Sequence, residues 1–446
     1  MVKEFEKFTD PESVKAALQQ RLPALVQGDL LITGCRILHL HYKTYLKKAS
    51  REKSFLAAAY QLEISNRASG ERNTQIIFAK IFPGNRSYEE LNKAIRQHLC
   101  PTVLGVPLLH LADLGMVVWT FPNDPALRDL PAVADADKVK KHLPCEALSP
   151  GFSANADTQV KIEVVNYRPE LRCTARYLVR QGAMALTLFG KTFADERGRE
   201  IHQRMEWLWR LSQQHPGQFP MPRPLAYNEE VKTVWQAELP GEPLTRILNR
   251  DNYGELISAA ANRLAFLHHS GAPVSSCISL SEHATEVGKK TAKLAQAFPA
   301  VRELLEQTVR LLEHRLPQLP LSPERVIHGD FHLRQLMVHA GQVSLFDFDE
   351  FALGDPAQDL ANFIADLHAQ LFADDWIKAL AATLVEAYSQ HSGEQIASAR
   401  LHWHLSVQFI TRAYRAYLQQ KPLLADRVSF FARLAYQTAS AEALIA

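Results

Sequence analysis

Residues 328–349 read HGDFHLRQLMVHAGQVSLFDFD, and the organisation of the whole chain follows from how this stretch is taken. It holds an acid, Asp330, an amide five residues later, Gln335, and then Asp347-Phe348-Asp349. Between them, Gln335–His339 reads as one strand, Ala340–Gln342 as a turn and Val343–Phe346 as the returning strand. A hairpin joins its own open ends, so Gln335 and Asp347 are expected side by side, where one cation would find two hard oxygen donors.

An acid, an amide and a second acid in that order are the groups that phosphoryl transfer from a metal-bound nucleotide uses. On that reading Asp330 receives a hydroxyl proton, Gln335 and Asp347 hold the metal, and Asp349 meets a second metal or the acceptor. Two other readings compete. His328, Asp330 and His332 alternate, so on an extended segment they share a face and would suit a zinc or two-metal hydrolase. The 18 His of the chain, however, form no second cluster of such spacing. Alternatively the Asp residues merely cap turns, which leaves the ordered spacing unexplained.

Composition excludes several classes. At 446 residues the chain exceeds one core, and 47% apolar with 22% charged residues describes a globular protein. The 50 basic and 48 acidic residues nearly cancel, so no global field points to nucleic acid or a membrane surface. Five scattered cysteines without paired spacing read as reduced thiols, and the charged N-terminus lacks an export signal; a cytoplasmic location is expected.

Upstream of the motif, Val164–Pro169, Thr174–Val179 and Ala183–Phe189 read as strands of a meander, followed directly by Gly190 and Lys191. A helix is expected over Asp195–Leu211. A strand-borne Lys before an acidic helix sets an ammonium on nucleotide phosphates and orients it by an ion pair; Glu200 is the candidate partner, with Glu196 and Glu206 on the same helix. The strand Val234–Ala237 then runs into Glu238-Leu239-Pro240-Gly241, an extended break whose backbone groups near Glu238 and Leu239 would meet an adenine edge. Beyond residue 250 the pattern turns helical, over Tyr253–His268, Glu282–Ala297, Arg302–His314 and Asp359–Ala373 among others.

The front of the chain repeats the layout. His41-Tyr42-Lys43 parallels Asn166-Tyr167-Arg168, the strand carrying Lys80 parallels the one carrying Lys191, and Trp119 parallels Trp235, in the same order with loops of different length. Three segments are therefore expected: a degenerate lobe over 1–145, a nucleotide-holding lobe over 151–245, and a helical lobe over 246–446 that carries the motif.

Taken together, these residues resemble the aminoglycoside phosphotransferase and choline kinase superfamily, small-molecule relatives of the protein kinases. His328-Gly-Asp-Phe-His332 is similar to its His-Gly-Asp-x-His signature, Asp347-Phe-Asp349 with Gly354-Asp355-Pro356 and Asp359 to its metal aspartate and following helix, and Glu238–Leu244 to its hinge. The resemblance covers roughly residues 160–446. It implies an α+β, protein-kinase-like two-lobed fold preceded by an extra, duplicated N-lobe-like domain, and an ATP- and Mg2+-dependent transfer to a hydroxyl of a small sugar, aminoglycoside or amino-alcohol. It assigns Asp330 as base, Asp347 as metal ligand and Lys191 as phosphate Lys. His328 and His332 read as supports of the loop, and Asp359 as the cap that opens a helix at Leu360.

Two departures stand out. The usual amide is Asn where this chain has Gln335, as in maltokinase-type members, which hints at a sugar hydroxyl. The glycine-rich loop of protein kinases is missing, and Arg168 to Cys173 would cover the phosphates with Arg168 or Arg172. The acceptor pocket is expected around residues 366–420, from among His368, His402, Trp403, His404, Arg412 and Arg415. A nucleotide-binding regulator or scaffold without turnover is the competing function; intact Asp330, Gln335, Asp347 and Lys191 oppose it.

Overall fold

A computed structural model describes residues 3–22, 25, 28, 30–45, 53–102, 104–370 and 372–441. Residues 1–2 and 442–446, the outer ends of the expected 1–145 and 246–446 segments, lie outside the described residues. The chain divides into two compact units: one of residues 1–199, 225–236 and 417–424, the other of residues 200–224, 237–416 and 425–446.

The first unit holds two five-stranded sheets. Strands β1 (Leu30–Lys43), β2 (Phe55–Asn66), β3 (Arg72–Ile81), β4 (Leu108–Leu111) and β5 (Met116–Thr120) are ordered β1-β2-β3-β5-β4. Strands β6 (Gln159–Arg168), β7 (Arg172–Gln181), β8 (Met184–Phe193), β9 (Pro224–Asn228) and β10 (Thr233–Ala237) are ordered β6-β7-β8-β10-β9. Each third strand is followed by a helix, Ser87–Ala94 in the first case and Arg197–Gln214 in the second. The repeat read from Lys80, Trp119, Lys191 and Trp235 is thus a repeat of topology.

Alternating inward residues of both sheets enter one apolar core. Phe78, Val117 and Trp119 of the first sheet and Tyr167, Tyr177, Val179, Leu188 and Trp235 of the second belong to the same buried cluster. Aromatic side chains of this size bury the largest apolar areas and dominate such a core. The expected boundary near residues 145–150 is therefore a crossing between sheets that share a core, not a division between two cores. Lys191 lies inside β8, opposite Thr174, rather than after the strand. Gly190 does not break the strand; a Cβ there would stand 2.8 Å from the Trp235 ring and 2.9 Å from the Tyr177 ring, so the aromatic packing requires glycine.

In the second unit, helices Tyr253–His268, Leu280–Ala297, Arg302–Arg315, Pro356–Ala369, Asp374–Ser392, Ser398–Leu418 and Leu424–Ser440 accompany short strands. These are β11 (Glu242–Pro243), β12 (Arg325–Ile327), β13 (Leu336–His339), β14 (Gln342–Leu345) and β15 (Ala352–Gly354), in the sheets β11-β13-β14 and β12-β15. The helix expected from Asp359 starts three residues earlier. Pro356 takes its first position, and the Asp355 side chain accepts from Ala357 N, so Asp355 is the cap and Asp359 is left for another task. Among the described residues no helix is long and apolar enough to cross a membrane.

Candidate active site

The motif hairpin forms, with a tighter turn than the sequence suggests. Leu336 pairs with Leu345 and His339 with Gln342, leaving only Ala340 and Gly341 to connect β13 and β14. Both have positive φ, 47° and 78°, the two-residue turn whose twist matches a hairpin. Gln335 sits just outside the strand, in the 3-10 turn Leu333–Gln335. Phe346 N donates to Gln335 O at 3.2 Å, which draws the open ends together. The Gln335 Nε2 then donates to Asp347 Oδ2 at 3.1 Å. Asp347 itself has φ +68°, a left-handed conformation that Asp tolerates better than most residues. Phe348 is buried beside His328, Phe219 and Phe351, which fixes the acids on either side of it. Arg263 anchors β14 from behind, donating to Val343 O at 3.0 Å and to Gln218 O at 2.6 Å.

The loop that carries Asp330 is held from below by a residue read only as a cap. Asp359, fully buried, accepts from His328 N at 2.7 Å and Gly329 N at 2.9 Å, and lies 3.0 Å from His268 Nε2. His268 in turn meets the Tyr388 hydroxyl at 2.8 Å. Gly329 has φ +78°, and a Cβ there would stand 2.2 Å from Glu350 O. Only glycine fits where the loop passes so close to the backbone after Asp-Phe-Asp. On the far side Asn362 donates to Phe331 O at 2.9 Å and is itself held by Arg412 at 2.8 Å. Asp359, His268 and Asn362 are the supports that sequence reasoning missed; the Asp-Pro-x-x-Asp spacing was the available signal for the first.

His328 and His332 diverge. His328 Nε2 donates to Phe346 O at 3.1 Å, whereas His332 Nε2 lies 3.6 Å from Asp330 Oδ2. Among the described residues no group of three or more His, Cys, Asp or Glu is arranged to hold a metal, and the alternating triad does not converge as a zinc site requires.

Asp330 lies in a cationic setting. Its Oδ1 is buried without a hydrogen-bond partner, with Arg415 NH1 at 3.6 Å. Burial alone would raise this carboxyl, but His332 and the positive charges of Arg415 and Arg412 outweigh it and hold the group well below the usual carboxylate range. Arg412, pushed down to about 10 by burial and by Arg415, stays charged and lies 3.7 Å from Asp366, which also binds Arg334 at 3.0 Å. Arg412 and Arg415 are thus the two expected acceptor-pocket residues that the fold brings to Asp330. Trp403 donates to Leu312 O, His404 binds Asp355 at 2.9 Å and His368 packs edge-on to Phe409.

The remaining expected residues stand as follows. Asp349 is half-buried two residues after Asp347. Glu200 binds Arg204 at 2.7 Å and the Ser275 hydroxyl at 2.8 Å, and Arg204 reaches Phe351 O at 3.5 Å. Glu238 and Leu239 fall in the irregular stretch between β10 and β11. In the sheet unit, Arg168 closes the β6–β7 hairpin opposite Arg172, and Lys191 is half-buried on β8.

None of the curated proteins compared matches the chain. Among solved structures, a thermostable mutant of aminoglycoside phosphotransferase APH(4)-Ia is 13% identical over 64% of this chain and 97% of its own, with a TM-score of 0.47. A putative aminoglycoside phosphotransferase from Ralstonia eutropha JMP134 is 16% identical over 66% and 97%, at 0.47. Choline kinase LicA from Streptococcus pneumoniae is 13% identical over 62% and 94%, at 0.45. Residues 173–403, just over half of the sequence, match the family described as the phosphotransferase enzyme family, and the chain belongs to that family of small-molecule kinases.

Proposed function

We propose that the protein transfers the γ-phosphoryl group of ATP to a hydroxyl of a small polar acceptor. The observation that carries the reading is the hairpin closure that sets Gln335 against Asp347 at 3.1 Å beside a loop bearing Asp330. An amide and a carboxylate are hard oxygen donors, and such a pair fits Mg2+ better than zinc or copper. Gln335 and Asp347 would hold that ion, with Asp349 available to a second ion or to the acceptor; when bound, it would neutralise charge on the phosphates.

Asp330 orients the acceptor hydroxyl and takes its proton late, since a loose transition state asks more for position than for basicity. A carboxylate kept ionised by Arg415, Arg412 and His332 suits that task. The Asp359 bonds to His328 N and Gly329 N keep the Asp330 backbone from drifting. Lys191 and Arg168 are assigned to the nucleotide phosphates, Glu200 to orienting Lys191, and the backbone of Glu238 and Leu239 to the adenine edge.

The test is an ATP-dependent mass gain of one phosphoryl group across a metabolite library, followed by Asp330→Asn. The variant is expected to lose about two to four orders of magnitude in kcat while retaining ATP binding. Full turnover by Asp330→Asn on the identified acceptor removes Asp330 from the chemistry.

A further inference from the structure

The N-terminal repeat carries its own strand Lys and helix acid. Lys80 on β3 binds Glu90 of the helix Ser87–Ala94 at 2.7 Å. This is the pairing of strand ammonium and helix carboxylate that orients a phosphate-binding Lys in kinases. In this repeat the ammonium has a second anion, Glu170 Oε1, also at 2.7 Å. Lys80 is mostly buried, between the Trp119 and Phe55 rings at 5.6 and 5.8 Å, so little solvent competes for it. A carboxylate of the following repeat has taken the anion position on this Lys.

Glu170 is no arbitrary partner. It occupies the centre of the three-residue connection Pro169–Leu171 between β6 and β7, with φ +61°. The same turn is gripped a second time by the first repeat. Asp124 Oδ2 accepts from Glu170 N at 2.9 Å and from the Tyr167 hydroxyl at 2.6 Å. Asp124 is in turn fixed by Ala126 N and Leu127 N at 2.8 and 3.0 Å. Backbone, side chain and flanking strand of one turn are therefore each tied to the preceding repeat, and the left-handed residue in the turn is over-determined by these bonds.

Given the proposed phosphotransfer, on which this step rests, that turn is the one assigned to cover the nucleotide phosphates in place of a glycine-rich loop. We infer that the N-terminal repeat is a positioning device for this turn: Lys80 and Asp124 pin Glu170, and so preorganise Arg168 for phosphate and set the affinity for ATP. A flexible glycine loop loses conformational freedom when it closes on phosphate, whereas a turn fixed beforehand does not. Lys80, Asp124 and Glu170 are positioning residues, none of them asked to touch the reacting atoms.

The experiment compares Glu170→Gln, Lys80→Met and Lys80→Arg by steady-state kinetics, calorimetric ATP binding and amide exchange over residues 169–173. Glu170→Gln keeps the turn's shape and removes only the charge, which guards against misfolding of the Lys80→Met protein. Glu170→Gln and Lys80→Met are expected to raise KM and Kd for ATP about tenfold, speed exchange in the turn, and leave the acceptor KM within about twofold. Lys80→Arg is expected to restore most of the ATP affinity. ATP affinity indifferent to both charge-removing variants, or equal losses in ATP and acceptor KM that track a fall in Tm, overturns the inference. Wild-type protein that binds no ATP at all overturns the phosphotransfer reading itself, and with it this one, and is recognisable as that separate failure.

Discussion

Removing the carboxylate of Asp359 tests whether the motif loop is built as described, independently of any activity. The carboxylate is fully buried and satisfies three donors, His328 N, Gly329 N and His268 Nε2, at 2.7, 2.9 and 3.0 Å. In Asp359→Ala all three lose their acceptor where no bulk water replaces it. An orphaned buried donor costs about 1–3 kcal/mol, and breaking a buried ionic network about 3–5 kcal/mol. Taking the low end for each donor gives a loss of roughly 3–5 kcal/mol, against a whole-protein stability of about 5–15 kcal/mol. Asp359→Asn keeps one oxygen and strands one donor, so about 2 kcal/mol is expected. The assay is urea unfolding followed by helical circular dichroism, with the midpoint and slope fitted separately so that a multi-step transition is seen as such. A His268→Ala partner completes a double-mutant cycle, whose coupling is expected above 1 kcal/mol. If Asp359→Ala loses less than about 1 kcal/mol, the network does not carry the loop.

Two further perturbations address the chemistry. Arg415→Ala takes away a positive charge that holds the Asp330 carboxyl below its usual range, so that carboxyl moves up. On the proposed role of Asp330 as base, which requires it ionised, the acid limb of the kcat/KM profile moves to higher pH; a limb that stays put or moves down refutes the assignment. Gly329→Ala places a Cβ 2.2 Å from Glu350 O at a positive φ, which displaces the loop. With positioning supplying most of the rate, a fall in kcat of about a hundredfold or more is expected, while secondary structure by circular dichroism is retained.

How far the sequence was legible depended on the range of each signal. The motif hairpin was readable because Leu336–His339 and Val343–Phe346 alternate and Ala340-Gly341 marks a turn, all within a dozen residues. The placement of Gln335 outside the strand was not, since nothing local distinguishes a strand residue from the turn before it. Gly190 read as a strand end because its reason, the Trp235 and Tyr177 rings, lies elsewhere in the chain. Asp359 read as a cap because an acid in a first helical turn looks like one, while its partners sit some 30 residues back. The tie between Lys80 and Glu170 spans 90 residues and leaves no local trace at either end. Short-range periodicity gave the elements and their order, and long-range polar pairing gave the site its geometry.

The single core shared by the two sheets has an evolutionary consequence. A sheet that only repeats the strand order of its neighbour would ordinarily be free to drift, but here Phe78, Val117 and Trp119 lie in the same core as residues of the second sheet. Deleting the front copy would strip Tyr167, Tyr177 and Trp235 of neighbours and leave a sticky aromatic surface. The copy is retained by packing even where its surface drifts, so substitutions among relatives should concentrate on the outward positions of β1–β5 and spare those facing inward.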